Sequence, residues 1–242
     1  MFWDTLIYIT GFVLIHIFSK NMKFLDGVPR SRFVSAAGGI SVAYVFLHLL
    51  PQLSHFQQEL EGEIDGGAWT IIESHIFIVA MLGFAIFYGL EVMVKKSRKK
   101  RGKEAVIAGA EVFWVHIGIF TLYNALIGYL LVQENFDGKL GTFFYFVAMG
   151  LHFVTNDKSL RRLHQHEYDK YGRWLLTAAV VIGWMAGIST EVGGAVVSIL
   201  VALLAGGLIL NVMKEELPDE RDSSFQSFGI GMILYSLILL LF

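Results

Sequence analysis

The stretch HIGIFTLYNALIGYLL, which runs from His116 to Leu131, carries two polar side chains inside an apolar segment of membrane-spanning length. About 20 apolar residues are enough to cross the hydrocarbon core of a bilayer. An imidazole at His116 and a carboxamide at Asn124 are costly in lipid, so both are expected to face the interior of a helix bundle. The stretch therefore predicts a transmembrane helix with a polar inner face.

The composition extends this expectation to the whole chain. Of its 242 residues, 55% are hydrophobic and only 17% are charged, which is too apolar for an ordinary soluble domain. The chain contains no cysteine, which excludes disulfides, thiolate metal ligands and cysteine nucleophiles. We expect a single transmembrane domain over residues 1–242, in a cell (inner) membrane. Its N-terminal MFWDTLIYIT lacks a basic leader region and is expected to be a retained first helix.

Eight apolar stretches are candidate membrane spans, so the predicted fold is an all-α, eight-transmembrane-helix bundle. The predicted spans are roughly 2–18, 33–50, 71–94, 105–132, 141–156, 174–189, 192–213 and 228–242.

The charges between these spans alternate in a way that predicts an orientation. Of the 19 basic residues, 18 lie in the first, third, fifth and seventh loops, and Lys139 is the exception. The third loop alone carries the run KKSRKKRGK from Lys95 to Lys103. Because basic loops stay in the cytoplasm, the odd-numbered loops are expected inside and both termini outside.

Polar residues concentrate on spans four and five, where they fall at two matched depths. At about 1.5 Å per residue, Asn124 and His152 each lie roughly 12 to 16 Å below the outer end of their span. We expect the two helices to be antiparallel neighbours. The upper level would hold Tyr123, Asn124 and His152, and the lower level His116, Asn156 and Asp157.

These side chains suit a metal ion, because imidazole nitrogen and carboxylate or amide oxygen are ligands for divalent first-row cations. The candidate metal ligands are Asn124, His152, Asn156, Asp157 and His116. The alternative is that the same groups hydrogen-bond each other and only hold helices together. The residue types leave both interpretations open.

The remaining histidines receive weaker interpretations. His48, Glu73 and His75 lie near the outer ends of their spans and are candidates for an outer vestibule. His16 is expected to snorkel at the inner end of span one. His164 and His166 are expected in a solvated loop, unless that loop binds metal on the cytoplasmic side. Pro51 is expected to end or kink the second span.

Several motifs make the chain similar to the ZIP family of metal transporters. HLLPQL, His48 to Leu53, resembles the end of that family's second span, and AGGLILNVMKEELPDE, Ala205 to Glu220, resembles the end of its seventh. YNALIG, Tyr123 to Gly128, aligns with the fourth-span signature H-N-x-x-D-G. HFVTND, His152 to Asp157, aligns with the fifth-span signature H-E-x-P-H-E.

The resemblance implies an eight-helix, ZIP-like transporter that moves a divalent cation, zinc or similar, by alternating access. Tyr123 and Ile127 stand where the family has His and Asp, so the alternative is a transport-inactive scaffold acting as a sensor or interaction partner. A multi-histidine intramembrane enzyme or haem protein is a further alternative, although the sequence contains no enzyme motif and we expect no enzyme.

The expected partners are the lipid bilayer and the metal cation, which is a substrate; no other cofactor and no nucleic acid is expected. Small residues around the seventh span indicate close helix packing, either within a protomer or in a homo-oligomer. They are Gly193, Gly194, Ala205, Gly206 and Gly207.

Overall fold

A computed structural model describes residues 2–22, 32–62, 75–101, 109–133, 138–216 and 224–241. These ranges are almost entirely helical and contain no strand. The long helices are α1 Phe2–Phe18, α2 Arg32–Tyr44, α3 Leu50–Gly62, α4 Ile76–Arg101, α5 Ala110–Gln133, α6 Gly138–Glu167, α7 Arg173–Ser189, α8 Gly194–Glu216 and α9 Phe225–Leu241.

Within the described ranges, six helical stretches are long and apolar enough to cross a membrane. They are Phe2–Asn21, Arg32–Gln58, Ile76–Lys99, Glu111–Gln133, Leu140–Ser189 and Gly194–Lys214. Many of their large apolar side chains are exposed; Leu122, for example, is 72% exposed. Apolar helices with apolar outer faces are typical of membrane proteins, because lipid covers those faces. The prediction of a helical membrane protein is confirmed at this level.

The fifth of these stretches, Leu140–Ser189, is 50 residues long and contains both α6 and α7. The two helices are joined by a π-helical turn, Tyr168–Gly172, and the chain kinks just before it at Gln165, where φ is 34° and ψ is −99°. The apolar helix Phe225–Leu241 is shorter than the six. These stretches do not by themselves establish eight spans, so that count stays a prediction.

Two helices extend beyond their predicted ends. Pro51 does not end the second span, because a π-helical turn, Val45–Leu49, precedes it and the helix resumes at Leu50. Proline removes one backbone donor and clashes with the carbonyl four residues before it, and a wider turn relieves that clash. The fifth span was predicted to end at residue 156, but α6 continues to Glu167.

The chain forms two compact units. Unit 1 comprises Met1–Ser31 and Gly89–Glu191, and unit 2 comprises Arg32–Tyr88 and Val192–Phe242. In unit 2, α2 packs along α9, and α8 packs against α2 and α3. In unit 1, α1 packs against α6 and α7, while α5 packs against α6 and, most extensively, α7.

Glycines permit the closest of these contacts. A Cβ at Gly128 on α5 would meet the carbonyl oxygen of Val180 on α7, and a Cβ at Gly183 on α7 would meet that of Ala125 on α5. The two backbones therefore touch through reciprocal glycines, as is common where membrane helices cross closely. This contact holds α5 in place, and α5 carries half of the predicted site.

Candidate functional site

Helices α5 and α6 of unit 1 lie side by side and antiparallel. Near the end of α5, the Tyr145 hydroxyl on α6 donates to the carbonyl of Ile127 over 3.0 Å. Near the start of α5, His116 Nδ1 lies 2.9 Å from Nε2 of His164, close to the end of α6. The end of α5 thus contacts the start of α6, and the start of α5 contacts the end of α6. The two helices are therefore antiparallel, as the sequence predicted.

The predicted upper level contains a close pair. The rings of Tyr123 on α5 and His152 on α6 have centroids 5.7 Å apart and meet edge to face. Asn124 is fully buried, and its Nδ2 donates to the carbonyl of Phe120 in its own helix over 2.7 Å. Tyr123 and His152, which were expected to be neighbours, are therefore in contact.

At the lower level the partners differ from the prediction. His116 pairs with His164, whereas Asp157 Oδ2 lies 2.9 Å from Nδ1 of His16 on α1. Asn156 is also buried, at 6% exposed. The lower level thus includes two histidines that were predicted to lie elsewhere, His164 and His16.

His16 does not snorkel, and that prediction is wrong. Its side chain is 0% exposed and its Nδ1 is held by Asp157, a residue 141 positions away in the chain. Snorkelling requires an open path to the interface, whereas the helices of unit 1 enclose this side chain. No local pattern around His16 could have identified a partner so distant in sequence.

His164 does not lie in a solvated loop, and that prediction is also wrong. It is 2% exposed and packs edge to face on Phe113 at 5.2 Å between centroids, whereas His166 is exposed as expected. A signal was present, because Asp157 and His164 are two helical turns apart and share a face if the helix continues. The basic residues Arg161 and Arg162 suggested instead that the span had ended.

Several buried polar atoms of unit 1 have no hydrogen-bond partner among the described residues. They include Nε2 of His16, Nε2 of His152, Oδ1 of Asn124, Oδ1 of Asp157, the hydroxyl of Tyr168 and Nε1 of Trp184. Buried polar atoms are nearly always paired, so such atoms are informative. Nitrogen lone pairs and amide or carboxylate oxygens can each accept a proton donor or bind a cation.

Aromatic rings separate these imidazoles from one another. Phe153 lies against both His152 and His16, with centroids 6.4 and 4.5 Å away. Phe120 and Tyr123 lie in the same way between His116 and His152. Over the part of the chain that the structure describes, no three His, Asp or Glu side chains form a group that could hold a metal. The proposed metal ligands are therefore neighbours without being a closed cluster.

The predicted outer vestibule belongs to unit 2. His48 is half-buried in the π-helical turn and stacks on Tyr44 at 5.0 Å between ring centroids. His75 is exposed immediately before α4, and Glu73 lies outside the described residues. π-helical turns often occur at functional positions, but the vestibule itself stays a prediction.

Comparisons with protein-family models and with curated proteins gave no match to this chain.

Proposed function

We propose that this protein binds a divalent first-row cation, zinc or similar, within the membrane and carries it across as a ZIP-like transporter. One observation carries the proposal: four buried polar atoms have no hydrogen-bond partner among the described residues, and they are Nε2 of His152, Oδ1 of Asn124, Nε2 of His16 and Oδ1 of Asp157. A membrane interior supplies no water for such atoms, so each one is costly unless a ligand satisfies it.

The chemistry of these atoms favours a borderline divalent cation. Imidazole nitrogen suits zinc, cobalt, nickel and copper, whereas magnesium and calcium prefer sites built only from oxygen. The donors on α5 and α6 are few and include the neutral amide of Asn124, which makes a weak ligand. A transport site benefits from this, because an ion that enters must also be able to leave.

The mechanism would use helices that enclose the ion from both sides of the membrane. The ion would lose its water at the level of Asn124 and His152 and then pass to the level of Asn156 and Asp157. Alternating access of this kind requires one group of helices to move against another around the site. We infer these steps from the resemblance to the ZIP family and from the two levels of polar residues on α5 and α6.

A second candidate is a transport-inactive, ZIP-like scaffold that acts as a sensor or interaction partner. It is favoured by the side-chain pairs His16–Asp157 and His116–His164, which satisfy one another without any ion. It is also favoured by Tyr123 and Ile127 at positions where the family carries ligands.

Uptake by reconstituted protein separates these candidates. Purified protein in liposomes would be offered zinc, manganese, iron, cobalt or cadmium outside, with a metal-sensitive dye inside. The transporter predicts saturable entry of at least one ion above that into empty vesicles, and a strong loss of entry in His152→Gln. His166→Gln, which removes an exposed imidazole of the same helix, is the matched control and should retain uptake.

If no ion enters above the empty-vesicle rate, the scaffold replaces the transporter. The scaffold further predicts no metal in the purified protein by elemental analysis. It also predicts that Asn124→Ala and His152→Ala lower stability alone.

A further inference from the structure

The last turn of α1 holds an imidazole in a fixed orientation. The His16 side chain is 0% exposed, Asp157 is 1% exposed, and their Nδ1 and Oδ2 atoms lie 2.9 Å apart. An ionised carboxylate can only accept a hydrogen bond, so a neutral His16 must donate from Nδ1. The lone pair of the ring is then on Nε2, on the far side from Asp157.

The surrounding chain keeps this turn in place. The Ser19 hydroxyl donates to the carbonyl of His16 over 2.8 Å, and the Arg173 guanidinium donates to the carbonyl of Ile17 over 3.0 Å. The Phe153 ring packs on the imidazole at 4.5 Å between centroids. His16 is thus anchored through its backbone, its ring face and one ring nitrogen.

Asp157 contacts His16 through one of its two oxygens. Oδ2 lies 2.9 Å from Nδ1 of His16, whereas Oδ1 has no hydrogen-bond partner among the described residues. Tyr168, which is 0% exposed, is a buried neighbour whose hydroxyl is likewise without a partner there. Oδ2 is therefore the atom that orients the imidazole.

One ring nitrogen remains without a partner. Nε2 of His16 is buried and finds no hydrogen-bond partner in the described ranges. A carboxylate on one imidazole nitrogen with the other left open is the arrangement by which proteins orient metal-ligating histidines and raise their basicity. The signature consists of the orienting carboxylate and the open, buried nitrogen together.

We propose that Nε2 of His16 is a ligand for a divalent first-row cation, and that Asp157 is its positioning residue. This inference rests on the proposed cation-binding function and adds to it a residue on α1, outside the two helices that the sequence singled out. The expected ions are those that favour imidazole, namely zinc, cobalt, nickel and copper, over magnesium and calcium.

Cobalt binding to the purified full-length protein in detergent tests this proposal. X-ray absorption at the cobalt edge detects imidazole ligands by their characteristic outer-shell scattering. Wild type should show that scattering, and His16→Gln should lose one imidazole and bind cobalt at least about 10-fold more weakly. His166→Gln is the matched control and should match wild type, because its imidazole is exposed.

Asp157→Asn tests the positioning role separately. Its amide oxygen can still accept from Nδ1, so the imidazole scattering should persist while affinity falls by about 10- to 100-fold. Unchanged affinity in this variant would contradict positioning. Unchanged scattering and affinity in His16→Gln would overturn the ligand role.

Two further measurements keep the test decisive. If His16→Gln fails to fold, the wild-type spectrum alone decides, because cobalt bound without any imidazole overturns the proposal. Uptake into proteoliposomes separates the ligand role of His16 from the proposed transport function. Transport that persists unchanged in folded His16→Gln refutes the ligand and leaves the transporter, whereas imidazole-bound cobalt without uptake refutes the transporter and leaves the ligand.

Discussion

His116 and His164 share one hydrogen bond, Nδ1 to Nε2 over 2.9 Å, although 48 positions separate them in the chain. One ring must donate and the other accept, because a neutral imidazole has one nitrogen of each kind. The contact joins the beginning of α5 to the end of α6. It therefore couples the two helices that carry the candidate site.

Replacing either histidine of this pair should destabilise the protein, and the two losses should be coupled. A double-mutant cycle of His116→Ala and His164→Ala is expected to give a coupling free energy of about 0.6 to 1.7 kcal/mol, as for other hydrogen bonds between membrane helices. Unfolding in detergent micelles measures it, with His166→Ala as the uncoupled control. Strict additivity of the two single variants would contradict the shared bond.

The buried and the surface carboxylates near the end of α6 should differ in their effect on stability. Asp157→Ala leaves Nδ1 of His16 without its acceptor and should cost about 1 to 3 kcal/mol of unfolding free energy. Asp169 pairs with Arg161 over 2.8 Å at side chains 21% and 30% exposed, so Asp169→Ala should cost about 0 to 1 kcal/mol. Equal losses of unfolding free energy in the two variants would contradict a larger stabilising effect of the buried carboxylate.

The glycine contact between α5 and α7 should not accept a methyl group. Gly183→Ala would place a Cβ against the carbonyl of Ala125, and the resulting helix displacement should cost about 1 to 3 kcal/mol. Gly118→Ala, where a Cβ meets nothing within 4 Å, is the matched control and should stabilise α5 by about 0.4 to 1 kcal/mol. Thermal unfolding of both variants measures the contrast, and a neutral Gly183→Ala would contradict the close contact.

Labelling of single cysteines should reveal the orientation and test whether Leu140–Ser189 crosses the membrane twice. The chain has no cysteine of its own, so one introduced thiol is the only target. A membrane-impermeant maleimide should label Glu191→Cys in intact cells, but should label Lys96→Cys and Lys170→Cys only after permeabilisation. All three native side chains are exposed. Labelling of Lys170→Cys in intact cells would contradict the eight-span topology.

The ends of helices were predicted more closely where the apolar stretch and the helix-breaking residues end at the same position. The predicted first span, residues 2–18, coincides with α1, whereas helix continues past residues 50 and 156, where the second and fifth spans were predicted to end. At Pro51 the reason is local, since a π-helical turn absorbs the proline. At α6 the reason is tertiary, because Leu160, Leu163 and His164 are buried among other helices while their basic neighbours are only partly covered.

The candidate site was predictable to the extent that its contacts follow from helix pairing. Tyr123 and His152 meet because antiparallel neighbours match residues at equal depth. His16 meets Asp157 only because α1 packs against α6, and helix packing of that kind depends on the whole bundle. A single sequence carries little information about such an arrangement, so the pair His16–Asp157 could not have been foreseen.

The concentration dependence of zinc uptake into proteoliposomes tests the central claim most directly. The proposed transporter predicts that the initial rate saturates in wild type and in His166→Gln, and that His152→Gln loses most of it. A rate that rises linearly with zinc and equals that of empty vesicles would contradict the claim. The buried histidines would then be groups that hold the helices together.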